Sequence, residues 1–433
     1  MTRRVLISVG ALVIVAAVAF LCVKSRRRGS GPDAGSPTVK RMLQRKPLGP
    51  DFYTHRPIGR APEGLPWITD LLIVDLDGDG LKDILVADGR QNKVSWIRQV
   101  RLGVFEEQDI GGPVAGPAHL EVADLRGTGH LDVLVSSMGI IFPDNDKIGS
   151  VVVLENDGHN HFTNHVLLEN VARVTYVQAA RLTAHSRLPD LVVGQFGYLE
   201  GEIRWMENLG DGHFKSHQLL DLPGTIHAPV ADLNGDGNMD IVALVSKKVE
   251  EVHAFMGDGQ GHFRDQILHG STNKDYGSSG LCIADVNQDG RPDIVYTNGD
   301  GFSYATPGSR PWHGVHWLEN KGGGKFAYHL VGAFPGAFSP VVADLKGNGL
   351  QDIVASSCFN DWHDKSAVCL MAFENDGAEH FTPRVLSRDL THLVVVKAAD
   401  LFNDGRIELV TGAFMFYPPY DRVSRVTLWE HNE

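Results

Sequence analysis

The chain has 433 residues, of which 42% are hydrophobic and 48 are glycine, so it can bury a large core and contains many tight turns. Its four cysteines are too few for a fold held together by disulfides. The formal net charge is −13, with 12 Lys and Arg against 2 Asp and Glu in residues 1–60 and 28 against 51 in the remainder. This acidic body excludes nucleic acid as the expected partner, since phosphate binding needs clustered Lys and Arg.

The amino terminus predicts a membrane anchor. A basic segment at residues 1–4 precedes residues 5–23, an uncharged apolar stretch long enough to span a bilayer as a helix. An uncleaved transmembrane signal anchor is the first expectation and a cleaved signal the second. Residues 24–50 predict a basic flexible linker. Its positive charges conflict with export under the positive-inside rule, which leaves the topology open, but a long C-terminal domain can cross regardless.

A segment that recurs seven times dominates residues 51–433. Each copy is an apolar strand, an Asp-x-Asp/Asn-x-Asp-Gly-x-x-Asp loop and a second apolar strand. The full loops begin at Asp75, Asp232 and Asp285. Weaker copies begin at Asp124, Asp344 and Asp400, and a degenerate copy begins at Arg181. The starts lie 49 to 59 residues apart, which is the length of a propeller blade or another repeat unit.

A second motif lies between successive copies. It is an apolar or aromatic strand, Glu-Asn, a Gly-rich turn and Phe, as in residues 205–214 and 317–326. Each period therefore contains about four short strands, the content of one propeller blade. Residues 426–433 give the last blade a third strand without a fourth, and residues 51–60 match the missing strand. We expect these residues to complete the last blade and close a ring without an exposed edge.

These motifs resemble FG-GAP/VCBS repeats, which form the seven-bladed β-propeller at the head of integrin α-subunits. The resemblance covers residues 51–433 and implies an all-β, seven-bladed propeller of four-stranded blades with calcium-binding loops. The family is known mainly for adhesion and ligand binding, but related propellers occur in polysaccharide lyases and sugar dehydratases. The fold therefore does not decide the function.

The three full loops carry the oxygen ligands that calcium prefers. Loop positions 1, 3, 5 and 9 offer side-chain oxygens, and the glycine at position 6 permits the sharp turn. The expected ligands of about three structural calcium ions are Asp75, Asp77, Asp79, Asp83, Asp232, Asn234, Asp236, Asp240, Asp285, Asn287, Asp289 and Asp293. The alternative is that these Asp-Gly loops are only turns.

The other four loops are not expected to bind calcium. Arg126 and Lys346 occupy position 3 of their loops and Arg181 occupies position 1, where a cationic side chain would repel the ion. Such a side chain could instead pair with the last carboxylate of its own loop. Phe402 at position 3 makes the seventh loop doubtful.

The long insertions all fall between the second and third strands of a blade, on the face opposite the calcium loops. They span residues 136–149, 194–201, 297–314, 356–368 and 412–425. Aromatic rings beside carboxylates suit sugar rings, which stack on aromatic faces and form hydrogen bonds. The ligand-binding residues expected in these loops are Tyr304, Trp312, His313, Trp362, His363 and Tyr417. The alternative is that the aromatic side chains pack on one another as a lid.

The innermost strands add a second candidate cluster, five residues before each loop start. Its ionisable members, from four consecutive blades, are Asp70, His119, Tyr176 and His227. We expect them to line one side of the channel mouth and to bind ligand. His119, Tyr176 and His227 are also the candidates for general acid–base catalysis. The alternative is that polar side chains line a wet channel and have no other function.

The favoured function is that of a membrane-tethered, extracytoplasmic propeller that binds a carbohydrate or a cell-surface partner. The location would be the periplasm or the cell surface. One alternative is a carbohydrate-active lyase or dehydratase with a His/Tyr site at the channel mouth, and another is a structural disc for protein interaction. The sequence leaves open whether the protein is an enzyme, with the balance against it. It also leaves open a disulfide between Cys358 and Cys369.

Overall fold

Seven antiparallel sheets make up the core of the described part of the chain. A computed structural model describes residues 46–185, 187–210, 212–302, 304 and 306–432. Each sheet has a path of four hydrogen-bonded strands, and the innermost strands contact one another in six of the seven neighbouring pairs of sheets. In the remaining pair, His227 of the fourth sheet contacts the carbonyl of Ser279, which lies just before the first strand of the fifth sheet. The all-β, seven-bladed propeller of four-stranded blades is therefore confirmed.

The blades follow one another along the chain, and in blades 1 to 6 the strands run in order from innermost to outermost. Blade 1 contains β2 (Ile68–Val74), β3 (Asp83–Asp88), β4 (Lys93–Arg101) and β5 (Val104–Ile110). Blade 2 contains β6 (Pro117–Ala123), β7 (Asp132–Ser137), β8 (Gly149–Asn156) and β9 (Phe162–Val171). Blade 3 contains β10 (Arg173–Ala180), β11 (Asp190–Phe196), β12 (Ile203–Gly210) and β13 (His213–Leu220). Blade 4 contains β14 (Thr225–His227) and β15 (Val230–Ala231), which both pair with β16 (Asp240–Val245), then β17 (Glu250–Gly257) and β18 (Phe263–Ser271).

The last three blades keep the same order. Blade 5 contains β19 (Leu281–Ala284), β20 (Asp293–Thr297), β21 (Gly314–Asn320) and β22 (Phe326–Ala333). Blade 6 contains β23 (Ala337–Ala343), β24 (Asp352–Ser357), β25 (Leu370–Asn375) and β26 (Phe381–Ser387). Blade 7 contains β27 (Leu393–Ala399), β28 (Glu408–Ala413), β29 (Val426–His431) and, as its outermost strand, β1 (Tyr53–Pro57).

The ring closes because β1 pairs with β29. The pairing is antiparallel and runs from Tyr53 opposite His431 to Pro57 opposite Thr427. The Tyr53 hydroxyl also donates a hydrogen bond to the carbonyl of Ile407 at 2.8 Å. The predicted role of residues 51–60 is thus confirmed, and the third strand of blade 7 has no free edge.

The core lies between the blades. The second strand of every blade is buried at each residue, in keeping with the Val, Ile and Leu residues that follow its first carboxylate. The outermost strands alternate between half-buried and exposed residues, because one of their faces meets solvent. Trp96, Trp317 and Trp429 lie on third strands and are among the largest fully buried side chains.

A break in strand register recurs in the innermost strands. The residues that follow this break directly are Asp70, His119, Tyr176, His227 and Val395. A β-bulge places two residues opposite one and re-aims a side chain. The bulge therefore recurs at the position that the repeat predicts for the channel cluster.

The residue just before this position joins neighbouring blades in three places. The hydroxyl of Thr69 donates to the carbonyl of Pro117 at 2.6 Å, and that of Thr175 to the carbonyl of Thr225 at 2.7 Å. The Ser279 hydroxyl likewise bonds the carbonyl of Ala337 at 2.9 Å. These bonds fix the spacing of the blades near the ring axis.

The amino-terminal predictions fall outside the described residues. They are the basic segment 1–4, the anchor 5–23 and all of the linker 24–50 except residues 46–50. Within the described ranges, no helix combines the length and the apolar character that a membrane span requires. Cys358 and Cys369 are both buried free thiols, so the disulfide considered for them is not formed in the structure.

Candidate functional site

The Asp-Gly loops between the first and second strands share one turn in six blades. In blade 1, the carboxylate of Asp75 accepts the backbone N–H groups of Asp79 at 3.1 Å and Gly80 at 2.9 Å. The same pair of bonds forms in the loops that begin at Asp124, Asp232, Asp285, Asp344 and Asp400. Two of these loops contain a cationic residue at position 3, so the turn itself does not require the full set of carboxylates.

The last carboxylate of each full loop is buried against the third strand of its blade. Asp83 accepts the N–H of Gln99 at 2.8 Å, and Asp240 and Asp293 accept equivalent bonds at 2.8 and 2.7 Å. Burial raises the pKa of each of these three carboxyl groups to about 6. These side chains hold the loop to the sheet whether or not an ion is bound.

Two of the cationic substitutions take different partners. Arg126 forms an ion pair with Asp132 at 2.7 Å, as the sequence suggested. Lys346 instead pairs with Glu374 at 2.7 Å, because that carboxylate lies on the adjacent third strand. Each of these two loops therefore contributes its cationic side chain to an ion pair within its own blade.

Blade 1 offers the most complete set of metal ligands in the described part of the chain. One oxygen each from Asp75, Asp77 and Asp83 lies within 4.8 Å of the others. Asp77 Oδ2 is buried and accepts no hydrogen bond, although the Arg98 guanidinium lies 2.5 Å away. Arg98 also contacts Asp79 at 3.2 Å. These residues fit a hard cation, provided that Arg98 moves aside when the ion binds.

The loops of blades 4 and 5 have fewer carboxylates, because position 3 is Asn234 or Asn287. Asn234 donates a hydrogen bond to Asp236 at 3.1 Å, and Asn287 donates one to Glu319 at 3.2 Å. Asp289 is paired with Arg291. The predicted ligands of each ion lie together in one loop. In both loops, however, some of these side chains are already engaged with neighbouring groups.

The structure brings the four channel residues together. Asp70 lies 3.2 Å from the ammonium of Lys397 and 3.8 Å from Nε2 of His119. The rings of His119 and Tyr176 have centroids 3.9 Å apart, and those of Tyr176 and His227 are 5.5 Å apart. These side chains form a continuous row across blades 1 to 4, as predicted from their common position in the repeat.

The electrostatics of this row oppose acid–base chemistry near neutral pH. Burial lowers the pKa of both His119 and His227 to about 4, so both imidazoles are neutral at pH 7. Burial raises the pKa of Tyr176 well above its usual value. For Asp70, attraction from Lys397 and then His119 outweighs burial and lowers the pKa. The row therefore offers a fixed carboxylate and neutral rings, which suit binding better than proton transfer.

Three of the predicted loop residues meet around one backbone carbonyl. Tyr304 Oη and Trp312 Nε1 both donate to the carbonyl of Asp275, at 2.8 and 2.9 Å. His313 Nε2 lies 3.2 Å from the Tyr304 hydroxyl and is buried. The indole of Trp312 remains 38% exposed and can present a face to a ligand.

The other three predicted loop residues are arranged differently. Trp362 is only 1% exposed, and its indole N–H donates to the carbonyl of Cys358 at 2.9 Å. The Tyr417 hydroxyl contacts the same carbonyl at 3.0 Å, while His363 is exposed. Trp362 and Tyr417 are thus both held by the Cys358 carbonyl and both contact His392, and the buried indole presents no face to solvent.

A cavity of about 180 Å³ lies among the long loops, next to His227. Its walls come mainly from apolar side chains of several blades, among them Ile141, Phe196, Phe302, Phe338, Val394 and Phe414. Sequence reasoning missed three charged residues that line it, Arg173, Lys247 and Asp300. Lys247 and Asp300 form a buried ion pair at 2.6 Å, and Asp300 outweighs the effect of burial and raises the pKa of Lys247.

Comparisons with known proteins agree with this architecture. A family profile described as FG-GAP-like repeat matches residues 75–135, 187–243 and 232–296. The chain contains FG-GAP-like repeats. All three matches include a loop between the first and second strands, and the last two include the full loops of blades 4 and 5.

A comparison with solved structures supports the propeller fold of this chain, but it does not bear on ligand or function. A crystal structure of BBS1N in complex with ARL6DN, soaked with mercury, is similar with a TM-score of 0.51 and 11% identity. The similarity covers 88% of this chain and 97% of that one. At this identity the likeness concerns the fold alone. No curated protein sequence matches the chain.

Proposed function

We propose that this protein is a ligand-binding propeller whose binding surface is the loop face, formed by the long insertions between second and third strands. One observation carries the proposal, namely the cavity of about 180 Å³ that several blades enclose on that face. A concave, mostly apolar site with a few fixed polar groups is typical of small-ligand binding. Long loops on a rigid sheet scaffold are the usual place for such sites.

The ligand class we propose is a carbohydrate or the exposed part of a cell-surface partner. Trp312 supports this, because its indole is 38% exposed and is held in place by the hydrogen bond to Asp275. A fixed, exposed indole offers a stacking surface at little loss of conformational entropy. Tyr420, at 40% exposure in the last insertion, adds a second ring to this face.

We also propose that calcium stabilises the turns on the opposite face. The three-carboxylate group of blade 1, in which Arg98 already pairs with Asp77, supports a cation there. Such ions would hold hairpins and take no part in ligand chemistry. A membrane-tethered, extracytoplasmic location belongs to the same proposal, supported by the sequence of residues 1–50 and by the abundance of free calcium outside the cytoplasm.

The lyase or dehydratase alternative has less support. A general acid must hold its proton near the working pH, and burial lowers the pKa of His119 and His227 below that range, which disfavours this role. Glu121 is the candidate with a suitable value, since burial raises its pKa to about 7. Catalysis would therefore be expected to depend on Glu121 rather than on the histidines.

The test is a binding screen with acidic and neutral glycans, read by thermal shift and calorimetry, with mass spectrometry for new products. We expect binding without product formation, and we expect Trp312→Ala to weaken it. Tyr328→Ala is the matched control, because Tyr328 is 44% exposed on the outermost strand β22 of blade 5. Equal losses in both variants, or products that disappear with Glu121→Gln, would contradict the proposal.

A further inference from the structure

The side chain of Arg173 is placed unusually for a cation. It begins the innermost strand β10, is only 2% exposed and lines the cavity on the loop face. Its Nη1 donates to the carbonyls of Ile141 at 3.3 Å and Phe142 at 2.8 Å. Its Nε and Nη2 are buried and have no hydrogen-bond partner of good geometry, and the Tyr198 hydroxyl makes only a weaker hydrogen-bond contact with the guanidinium. The backbone thus holds one edge of the guanidinium, and the two other nitrogens keep donor capacity for a ligand.

The charge of Arg173 is also uncompensated. Among the described residues no carboxylate lies within ion-pair distance of it. The rings of Phe196 and Tyr198 lie 5.1 and 5.9 Å from the guanidinium carbon, and these contacts offset part of the cost of burial. Asp144 attracts the guanidinium only from a longer distance. A buried guanidinium with two donor nitrogens available suits an anion that offers oxygen acceptors.

The neighbouring charges leave this site positive. Lys247 and Asp300, which line the same cavity, neutralise each other at 2.6 Å. The hydroxyl of Tyr198 interacts electrostatically with both Arg173 and Lys247. The cavity therefore carries one net positive charge, and that charge resides on Arg173.

The rest of the cavity offers little to a hydroxyl-rich ligand. Thr69, Thr175 and Ser279 line it, but each hydroxyl already donates to a backbone carbonyl of the next blade. His227 Nε2 is likewise engaged with the carbonyl of Ser279 at 3.0 Å. Unpaired charge among the cavity residues is thus confined to Arg173. Ser278 and Tyr198 add hydroxyl groups, and the remaining walls are mainly aromatic and aliphatic.

We propose that this cavity binds a small carboxylate with an apolar, ring-sized body, whose carboxylate oxygens accept hydrogen bonds from Nε and Nη2 of Arg173. The proposal rests on the loop face being a ligand-binding surface, and it names the chemistry of one ligand class there. The ring would lie against the phenylalanines of the walls. An aromatic acid and a uronic acid share the carboxylate, and the apolar walls favour the aromatic acid.

The first test compares matched ligands on the full-length, unmodified chain. Calorimetry and thermal shift are measured with benzoate against benzamide, and with glucuronate against glucose. Benzamide keeps the ring and removes the charge, so the comparison needs no variant. We expect benzoate to bind about tenfold more tightly than benzamide, with an affinity that falls as salt is raised.

The second test changes the guanidinium. Arg173→Lys keeps the charge but loses the paired N–H donors, and Arg173→Met removes both, so affinity for benzoate should fall in that order. Arg90→Met is the matched control, because Arg90 is an exposed arginine stacked on Trp67 at 5.1 Å and is not among the cavity residues. It should leave benzoate binding unchanged.

The outcomes separate this proposal from the proposed function. Equal affinity for benzoate and benzamide, or full affinity in a folded Arg173→Met variant, would overturn the role of Arg173. Binding of glucose and glucuronate alike, without binding of benzoate, would overturn the carboxylate proposal and leave the loop face as a carbohydrate site. Absence of binding by every probe and by the glycan panel would overturn both.

Discussion

The guanidinium of Arg425 donates two hydrogen bonds, of 2.8 and 3.0 Å, to the carboxylate of Glu107, which lies 318 residues earlier in the sequence. Arg425 directly precedes β29, the third strand of blade 7, and Glu107 lies on the outermost strand of blade 1. Both side chains are at most 5% exposed. The backbone N–H of Arg60 donates to the same carboxylate at 2.6 Å. This buried pair therefore fastens the first blade to the last.

Removing one partner of this pair should destabilise the protein strongly. Arg425→Met leaves the Glu107 carboxylate buried without its cation, and we expect a loss of about 3 kcal/mol in the free energy of unfolding. Denaturation by urea measures it. The matched control is Arg56→Met, whose partner Glu430 lies 2.8 Å away in blade 7 but at 29% exposure, and this change should cost less than about 1 kcal/mol. Equal losses would show that burial does not set the strength of the first pair.

Calcium should raise the thermal stability, and blade 1 should account for part of the rise. We expect Asp77→Asn to reduce the calcium-dependent increase in Tm, because it removes one member of the three-carboxylate group. The control is Asp124→Asn in the blade 2 loop, where Arg126 already pairs with Asp132. That change should leave the calcium response unaltered. A Tm that is insensitive to both calcium and chelator would refute the calcium proposal.

Acid should destabilise the protein through its buried histidines. His392 is fully buried, and burial lowers its pKa to about 3. An unfolded histidine has a pKa of about 6.5. The unfolded chain therefore takes up a proton as the pH falls below that value, while the folded chain stays neutral until about pH 3. Stability is lost as pH falls, by about 2 kcal/mol at pH 5 from this residue.

The variant His392→Asn checks this pH dependence. Asparagine tolerates the φ of 58° at this position and does not titrate. At pH 7 the free energy of unfolding of the variant should be lower than that of the unchanged chain, because packing is lost. Between pH 7 and pH 5, however, it should fall by less than that of the unchanged chain. His363→Asn, at an exposed histidine, should keep the full dependence. If His392→Asn loses as much stability between the two pH values as the unchanged chain, another group is responsible.

Deleting the closing strand should leave blade 7 with an exposed edge. A chain that begins at residue 61 lacks β1, so β29 keeps unpaired N–H and C=O groups. We expect it to aggregate or form oligomers by edge pairing, whereas a chain that begins at residue 46 should remain monodisperse. Light scattering distinguishes the two. A monodisperse shorter chain of unchanged Tm would show that β1 is dispensable.

The repeat pattern predicts most of the fold because the same order of strands and loops recurs in every blade. Seven loop starts, the Glu-Asn-Gly motif and the apolar second strands specify strand number and order. Even the closing strand is predictable, since residues 51–60 match a piece that the last repeat lacks. The recurring bulge likewise places Asp70, His119, Tyr176 and His227 in one row.

The loop face is less predictable because its contacts join segments that are distant in sequence. An aromatic residue in a long loop can be exposed like Trp312 or buried like Trp362, and its own neighbours in sequence do not decide which. Arg173 was missed because its site depends on loops of two blades. A signal did exist for Lys247 and Asp300, which both lie seven residues after the last carboxylate of their loop and have opposite charges in adjacent blades.

The pairing of β1 with β29 makes the order of synthesis and the order of folding differ. The strand made first has its partner near the opposite end, so it stays unpaired while six blades are built. Contacts between residues so distant in sequence form slowly, because the chain loses conformational entropy on closing before the stabilising hydrogen bonds form. A molecule halted during synthesis would therefore carry an open edge, and completion of the ring is the step that hides it.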